Sequence, residues 1–460
     1  MPHPEEPFNQ VANTAQVRLG KRISWDAGHD EDPLVRSTIG KLLSRPLTPE
    51  TAVQIALLNN RELQSTYADL GISQAKVVQT TLWRNPVVTG VVFFPITGGG
   101  IDYTFDFALR VIDIVYIPLR KRVAESELDE VKLQVLARVM SIAGQTYLAF
   151  IDYVGARERV SILGRAVESA SAIVESGKAL RKAGNLTDYD FELQVSLQVQ
   201  VAAQLAQAQM SATEARERVN RLLGLTGQLT QWRAFDRLPR VSGTERLMAD
   251  TERTAIETSF DLAAIRQRLI TMGRKYKVVD ITSVLPRLDL GGEGQRNAGE
   301  QEAGPLFAME LPLFDWGQAK REAARMEILK TGAAFTAVAV RVRSLARLEQ
   351  AKLLSARQIV TFYANTVVPQ AQRLLEAAGR QYDAMEIGVF DLIQIKEKQI
   401  QVSVDYVDAL KTYWRERIRM AQILKGKLPD DGDEMTSSAA EPAAQITSPT
   451  NQSDPSGNRE

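Results

Sequence analysis

The 460-residue chain contains no cysteine and only two histidines, His3 and His29, both near the N-terminus. That removes disulfides, thiolate chemistry, structural zinc and any histidine acid/base site from the body of the chain. A catalyst would have to work with carboxylates, lysines and hydroxyls alone, and no paired-acid constellation stands out. A carboxylate hydrolase is therefore the weakest of the functional readings, and no enzyme activity, metal or cofactor is expected. Net charge is lacking too: 56 basic and 56 acidic residues cancel, so there is no electrostatic footprint for nucleic acid. No run of about 18 apolar residues occurs, which rules out a spanning helix. The first 47 residues also lack the charged-then-apolar pattern of a secretory signal.

What is present falls into three zones. Residues 1–47 are polar and punctuated by Pro and Gly, and are expected to form an extended arm. Residues 48–427 read as long helices interrupted twice by β-like segments. Residues 428–460 are poor in apolar side chains, and a disordered tail is expected there.

The middle zone carries a weak internal repeat with a period near 200. Asn85-Pro86 matches Leu285-Pro286, and Tyr153-Val154-Gly155-Ala156-Arg157-Glu158 matches Leu353-Leu354-Ser355-Ala356-Arg357-Gln358. Gly184 is paired with Gly388, and Leu223-Gly224 with Lys425-Gly426. Four matches in one order point to a duplication rather than a solenoid. Two repeats are expected, 48–240 and 241–427.

In the first repeat, Thr48 caps a helix, with Pro49 in its first position and Glu50 in its first turn. Apolar residues follow at Val53, Leu57, Leu63, Tyr67 and Leu70. After Pro86 the period changes. Ile101, Tyr103, Phe105, Phe107, Leu109 and Val111 alternate with Asp102, Thr104, Asp106, Ala108 and Arg110, which is a strand pattern. With the β-like run Val87–Ile96 and the turn Thr97-Gly98-Gly99-Gly100 this gives a hairpin at about 86–113. The second repeat should hold its counterpart at about 285–314. There Leu288 and Leu290 alternate with Arg287 and Asp289, a Gly/Glu/Gln-rich loop spans 291–304, and Phe307, Met309, Leu311 and Leu313 alternate with Ala308, Glu310 and Pro312.

Long helices lie between the hairpins. Leu128, Val131, Val135, Val139, Ile142, Thr146 and Phe150 form one seam; Leu193, Leu197, Val201 and Leu205 a second; Ile395, Val402, Tyr406, Tyr413 and Ala421 a third. Such narrow seams suit coiled-coil packing. The fold class is thus mainly α with a small β part.

Four strands with one apolar face pose a problem. A soluble sandwich would need a second sheet, and the chain offers no strands for it. A membrane barrel fits, with apolar side chains toward lipid and Asp102, Asp106, Arg110, Arg287, Asp289 and Glu310 toward a wet lumen. Four strands cannot close a barrel, and open edges are not tolerated in lipid, so several chains must share one.

The assembled residues resemble the TolC family of outer-membrane efflux proteins over about 48–427. The resemblance rests on Ala52–Leu63 (AVQIALLNNREL), Asn85-Pro86, Pro305–Arg325 (PLFAMELPLFDWGQAKREAAR), and the breaks at Ala183-Gly184-Asn185 and Ile387-Gly388, which look like the family's equatorial breaks. It implies a homotrimer, a 12-stranded outer-membrane β-barrel with four strands per chain, and duplicated helical hairpins forming a periplasmic α-barrel. It further implies a periplasmic adaptor and an inner-membrane pump as partners, with outer-membrane lipid around the strands. Gly155, Ala156, Arg157, Ser355, Ala356 and Arg357 fall where such members turn at the periplasmic tip, and are expected to touch the adaptor. Asp383 and Glu386 are acidic candidates for the family's constriction, read with more weight as solvated helix charges. Two departures stand out: neither a secretory signal nor a lipidated N-terminal cysteine is present. The start shown is therefore expected to lie downstream of the true one, or to belong to a processed form. The missing signal is also what favours the alternative, a cytoplasmic coiled-coil scaffold.

Overall fold

A computed structural model describes residues 5–25, 33–94, 96, 100–241, 250–284, 287–297 and 300–429. The expected turn at 97–99, the Leu285-Pro286 pair, both histidines and the tail beyond 429 lie outside the described residues. The chain opens with α1 (Glu5–Leu19), α2 (Pro33–Leu43), α3 (Pro49–Asn59) and α4 (Arg61–Thr81). Strands β1 (Val87–Phe93) and β2 (Asp102–Arg110) follow, then α5 (Asp113–Lys182) and α6 (Asp188–Leu223). A 3-10 turn at Gly227–Thr230 leads to α7 (Thr251–Thr258) and α8 (Phe260–Val284), and then to β3 (Leu288–Asn297) and β4 (Glu300–Met309). Helix α9 (Gln318–Phe362) passes through a π turn at Tyr363–Val367 into α10 (Val368–Asp383), and α11 (Val389–Leu424) ends the fold. The order helix, hairpin, long helix, returning helix thus occurs twice.

The N-terminal arm is helical rather than extended. Val11 and Ala15, four apart, are buried in α1 against α4 and α5, and Phe8 meets the rings of Trp25 at 5.7 Å and Tyr67 at 5.2 Å. Pro7 and Pro33 lie in the first turns of α1 and α2, where proline is tolerated, and Gly20, left-handed at φ +65°, ends α1.

Thr48 caps α3 as its sequence requires, accepting from Thr51 N while Thr51 Oγ1 accepts from Thr48 N, a reciprocal capping box. The Asn59-Asn60 pair that follows has a structural reason. Asn59 Nδ2 donates to the carbonyls of Leu223 and Gly224 at 2.9 and 2.8 Å, and Asn60 Nδ2 to that of Leu222 at 2.8 Å. Asn60 Oδ1 also accepts from Leu63 N, capping α4. Two asparagines therefore satisfy both the start of α4 and the end of α6, with β1, β2 and α5 between them in the chain.

Around this junction lies the largest core. Trp232 is buried between Phe150 and Tyr153, donates to Asn220 Oδ1 at 2.7 Å, and lies under the Arg216 guanidinium. Leu47 bridges to Ala234 in parallel register, so the connector between the repeats is pinned to the entrance of the first.

The first two helical seams appear as expected, with Leu128, Val135, Val139, Ile142, Thr146, Phe150, Leu197 and Val201 buried. The third is shifted. Val402 and Tyr413 are buried, but Ala421 is exposed and the seam runs through Ile393, Ile400, Val404, Val407 and Leu410. α5 is one unbroken 70-residue helix, whereas its counterpart is interrupted. Pro369 has no N–H to give the carbonyl one turn back, and the local widening to a π turn absorbs the defect.

Replacing Asn60 by Ala is expected to lower stability by about 1–3 kcal/mol, because buried carbonyl and amide groups lose their partner. A melting temperature unchanged from the parent protein would show that the junction does not depend on this residue.

Candidate functional site

The four strands form one antiparallel sheet in the order β1-β2-β3-β4. The two repeats meet in it, since β2 pairs with β3 from Tyr103 opposite Arg296 to Arg110 opposite Asp289. Residues 291–304, expected to be a loop, are strand apart from 298–299, which lie outside the described residues. Glycine hides the period-two pattern there because it marks neither face. At Gly291 a β-carbon would lie 1.7 Å from the Phe107 carbonyl oxygen, so β2 and β3 can approach only with glycine at that position. Phe105 stands opposite Gly90 and Gly294, and Phe107 opposite Gly292, so aromatic rings cover bare backbone on one face.

Register sorts the side chains onto two faces. One holds Val88, Val92, Tyr103, Phe105, Phe107, Leu109, Leu288, Leu290, Phe307 and Met309, almost all of them well exposed. The other holds Asp102, Thr104, Asp106, Arg110, Asp289, Glu293, Gln295, Glu300 and Glu302. Arg287 and Glu310 continue the polar face just past the strand ends, and Glu310 N donates to Arg287 O. All six polar positions singled out in the sequence therefore share one face. Glu293, Gln295, Glu300 and Glu302 belong there too, and were missed with the loop assignment; Glu293, Gln295 and Asn297 at alternate positions were the available signal. The pattern has exceptions: Val87, Val91 and Phe93 of β1 and Leu306 of β4 stand on the polar side, and Arg296 and Gln301 stand on the apolar side at its far end. Asp106 lies directly opposite Glu293, an arrangement that costs free energy unless water or cations screen it.

Where the sheet meets the helices, charge is concentrated and paired. Asp289, 5% exposed, accepts from Arg110 Nε at 3.4 Å and from Arg287 Nε. Asp113, 1% exposed at the start of α5, lies 3.4 Å from Arg120 and 3.7 Å from Arg84. Beside this junction a band of large side chains stands exposed: Leu82, Trp83, Ile114, Val115, Leu311, Leu313, Phe314 and Trp316. Such a band of Trp and aliphatic groups matches the girdle at a membrane–water boundary.

The far ends of the long helices correct two expectations. α5 runs without interruption through Gly155-Ala156-Arg157, and α9 through Ser355-Ala356-Arg357. Neither segment is a turn. Gly155 is buried beside Lys411 of α11 and Leu238, Arg157 pairs with Asp236 at 3.1 Å, and Ala356 is buried. A small residue in a helix marks close packing here, not a reversal. The reversals come instead at 183–187 and 384–388, the segments that resemblance had read as equatorial breaks.

Both reversals use the same cap. At the first, Asn185 N donates to Leu180 O and Gly184 N to Arg181 O, with Gly184 left-handed at φ +76°. At the second, Glu386 N donates to Gln381 O and Met385 N to Tyr382 O, with Met385 left-handed at φ +60°. Met385, not Gly388, is thus the counterpart of Gly184. It is also 93% exposed. Asp383 and Glu386 sit exposed at this same turn.

No protein-family model matches the chain, and no curated protein does. Solved structures do. The CmeC outer membrane channel of Campylobacter jejuni is 15% identical, with a TM-score of 0.70 over 85% of this chain and 88% of that one. The open state of the MtrE outer membrane channel of Neisseria gonorrhoeae is 15% identical, with a TM-score of 0.68 over 84% and 90%. The outer membrane protein VceC of Vibrio cholerae is 14% identical, with a TM-score of 0.66 over 88% and 98%.

The chain has the fold of these outer-membrane channels. The match covers 84–88% of this chain in the three structures. Among the described residues no helix is long and apolar enough to cross a membrane, and no group of three or more His, Cys, Asp or Glu is placed to hold a metal ion.

The two faces give a direct contrast. Phe105→Arg should cost about 2–4 kcal/mol if this face lies at the bilayer midplane, and should remove the protein from the membrane fraction. Thr104→Arg, one residue away on the polar face, should leave membrane insertion intact. Equal behaviour of the two variants would rule out a sheet with one lipid-facing side.

Proposed function

We propose that this chain is one protomer of a homotrimeric outer-membrane channel that conducts solutes out of the cell and catalyses no reaction. The observation that carries the reading is the sheet: four strands with faces sorted into apolar and polar, and with outer edges on β1 and β4 that have no partner among the described residues. In lipid such edges must pair, and the symmetric solution is to pair β1 of one copy with β4 of the next. Three copies would close a barrel of twelve strands, with Asp102, Asp106, Arg110, Arg287, Asp289 and Glu310 lining the lumen together with Glu293, Glu300 and Glu302. The band at Trp83, Phe314 and Trp316 would mark the periplasmic boundary of the bilayer, and the long helices would project into the periplasm.

The channel is passive in this reading. An inner-membrane pump supplies the energy, and a periplasmic adaptor docks on the helical end, in keeping with the TolC-like resemblance. The two repeats, about 48–240 and 241–427, would alternate around the tube to give six helical hairpins. The reversals at 183–187 and 384–388 are the surfaces an adaptor would meet. A scaffold in the cytoplasm would leave the aromatic face of the sheet in water, and nothing among the described residues covers it.

Purified protein in planar bilayers is expected to give discrete conductance steps. Full-length protein that extracts without detergent and never conducts would overturn the reading. Met385 offers a sharper test of docking. A left-handed backbone costs a side chain roughly 1–2 kcal/mol, so Met385→Gly should hold stability or raise it by up to about 1 kcal/mol once glycine's extra chain entropy is counted. It should nevertheless lower recovery of the adaptor after cross-linking in cells. Undiminished recovery would reject Met385 as a contact.

A further inference from the structure

Helices α9 and α11 pack together beside α5, and two glutamates meet in their seam. Glu349 of α9 is wholly enclosed, and Glu416 of α11 is 8% exposed. Each has a charged partner: Lys352 Nζ lies 2.7 Å from Glu349 Oε1, and Arg419 Nη1 lies 3.4 Å from Glu416 Oε1. The two carboxyl groups are within hydrogen-bonding reach of each other. The second oxygen of each, Oε2, is buried with no donor among the described groups. Two carboxylates cannot hydrogen-bond, since neither has a proton to give, whereas one proton on the pair supplies the missing donor. The geometry is that of a shared-proton carboxyl pair.

Its position matters. The π turn at Tyr363–Val367 lies about four helical turns further along from Glu349, and beyond it α10 and α11 form the second hairpin. π turns recur at functional sites, and this one already has lengthened hydrogen-bond spacing. The seam that Glu349 and Glu416 occupy fixes the base of that hairpin.

We propose that the Glu349–Glu416 pair is a proton-operated latch. It holds α9 against α11 while the two carboxyls share a proton, and frees the α10–α11 hairpin to swing about the π turn when that proton leaves.

The electrostatics set the direction. Burial, then the hydrogen bond and the charge of Glu349, push the Glu416 carboxyl up to about 7 from an ordinary 4.5, while Arg419 and Lys352 pull it down. An acid whose value is raised in the folded state binds its proton more tightly there. Its contribution is present in full at acid pH and is lost as pH rises from about 4.5 toward 7. The latch is therefore closed at mildly acid pH and open above neutrality. Other helices against the seam bring charges that are already matched: Asp152 of α5 with Arg415, Glu252 of α7 with Arg347, and Asp261 of α8 with Lys427. Among these groups the glutamate pair is the one in which each carboxyl keeps a buried oxygen without a donor among the described residues.

The latch rests on the buried pair alone; only its effect on conduction rests on the channel reading. Because the chain has no cysteine, spin labels at Ser176→Cys on α5 and Glu376→Cys on α10 report the hairpin in the full-length protein. Mixing labelled with excess unlabelled chains keeps each measured pair within one protomer. Between about pH 5.5 and 8.5 the mean distance should move by on the order of several ångströms, with a midpoint near 7. Glu416→Gln supplies a permanent donor to Glu349 and should hold the acid-pH distance throughout. Glu349→Gln does the same from the other side and serves if the first variant fails to fold. A wild-type distance that ignores pH, or a shift that survives both variants, would overturn the latch. In planar bilayers the wild-type conductance should rise over the same range and that of Glu416→Gln should not. Silence at every pH would count against the channel reading, and the label distances would still decide the latch.

Discussion

A β-strand carries a row of backbone donors and acceptors along each side, and lipid offers them nothing. This constraint governs how the rest of the molecule is understood. β2 and β3 are satisfied on both sides within the chain, but β1 and β4 each leave one side open among the described residues. The exposed aromatic face forbids leaving the sheet in water, and the open edges forbid leaving it alone in lipid. In the channel we propose, copies that join edge to edge meet both conditions. The order of elements follows the same logic: each half of the chain supplies one hairpin, and the hairpins meet at β2 and β3, where Gly291 permits the strands to close.

The helices carry that arrangement away from the sheet. The Arg110–Asp289–Arg287 and Arg84–Asp113–Arg120 clusters fix the angle at which strands give way to helices. The Asn59-Asn60 clamp and the Trp232 cluster then bind the entry, the returning helix and the connector into one core. The two repeats are not equivalent. The first long helix is continuous and ends on a glycine; the second is interrupted at Pro369 and ends on a strained methionine. The buried glutamate pair lies in this second, interrupted half, between α9 and α11.

Much of this was legible in the sequence. The period-two run from Ile101 to Val111 announced β2 and both of its faces, and the Thr48-Pro49 start and the steps from Leu128 to Phe150 marked their helices. What failed did so for identifiable reasons. Glycine erased the alternation of β3 and β4, so Glu293, Glu300 and Glu302 were taken for a loop. The resemblance placed Gly155 and Ser355 at a turn, yet small residues serve equally for close helix contact, and only tertiary packing distinguishes the two. The register of the repeat slipped at the second reversal because a glycine was sought where the structure holds Met385. Nothing local marks Glu349 and Glu416 as partners, since they lie in different helices and meet only through the fold.

The central claim, that β1 of one copy pairs with β4 of another, is most directly tested by cross-linking those edges. Single cysteines placed along β1 and along β4 of a chain otherwise free of cysteine can be oxidised in intact membranes and resolved by mass. The account predicts a ladder of one, two and three linked chains that stops at three, because the third link closes the ring. Bands that never exceed a single chain, or that continue past three, would contradict it.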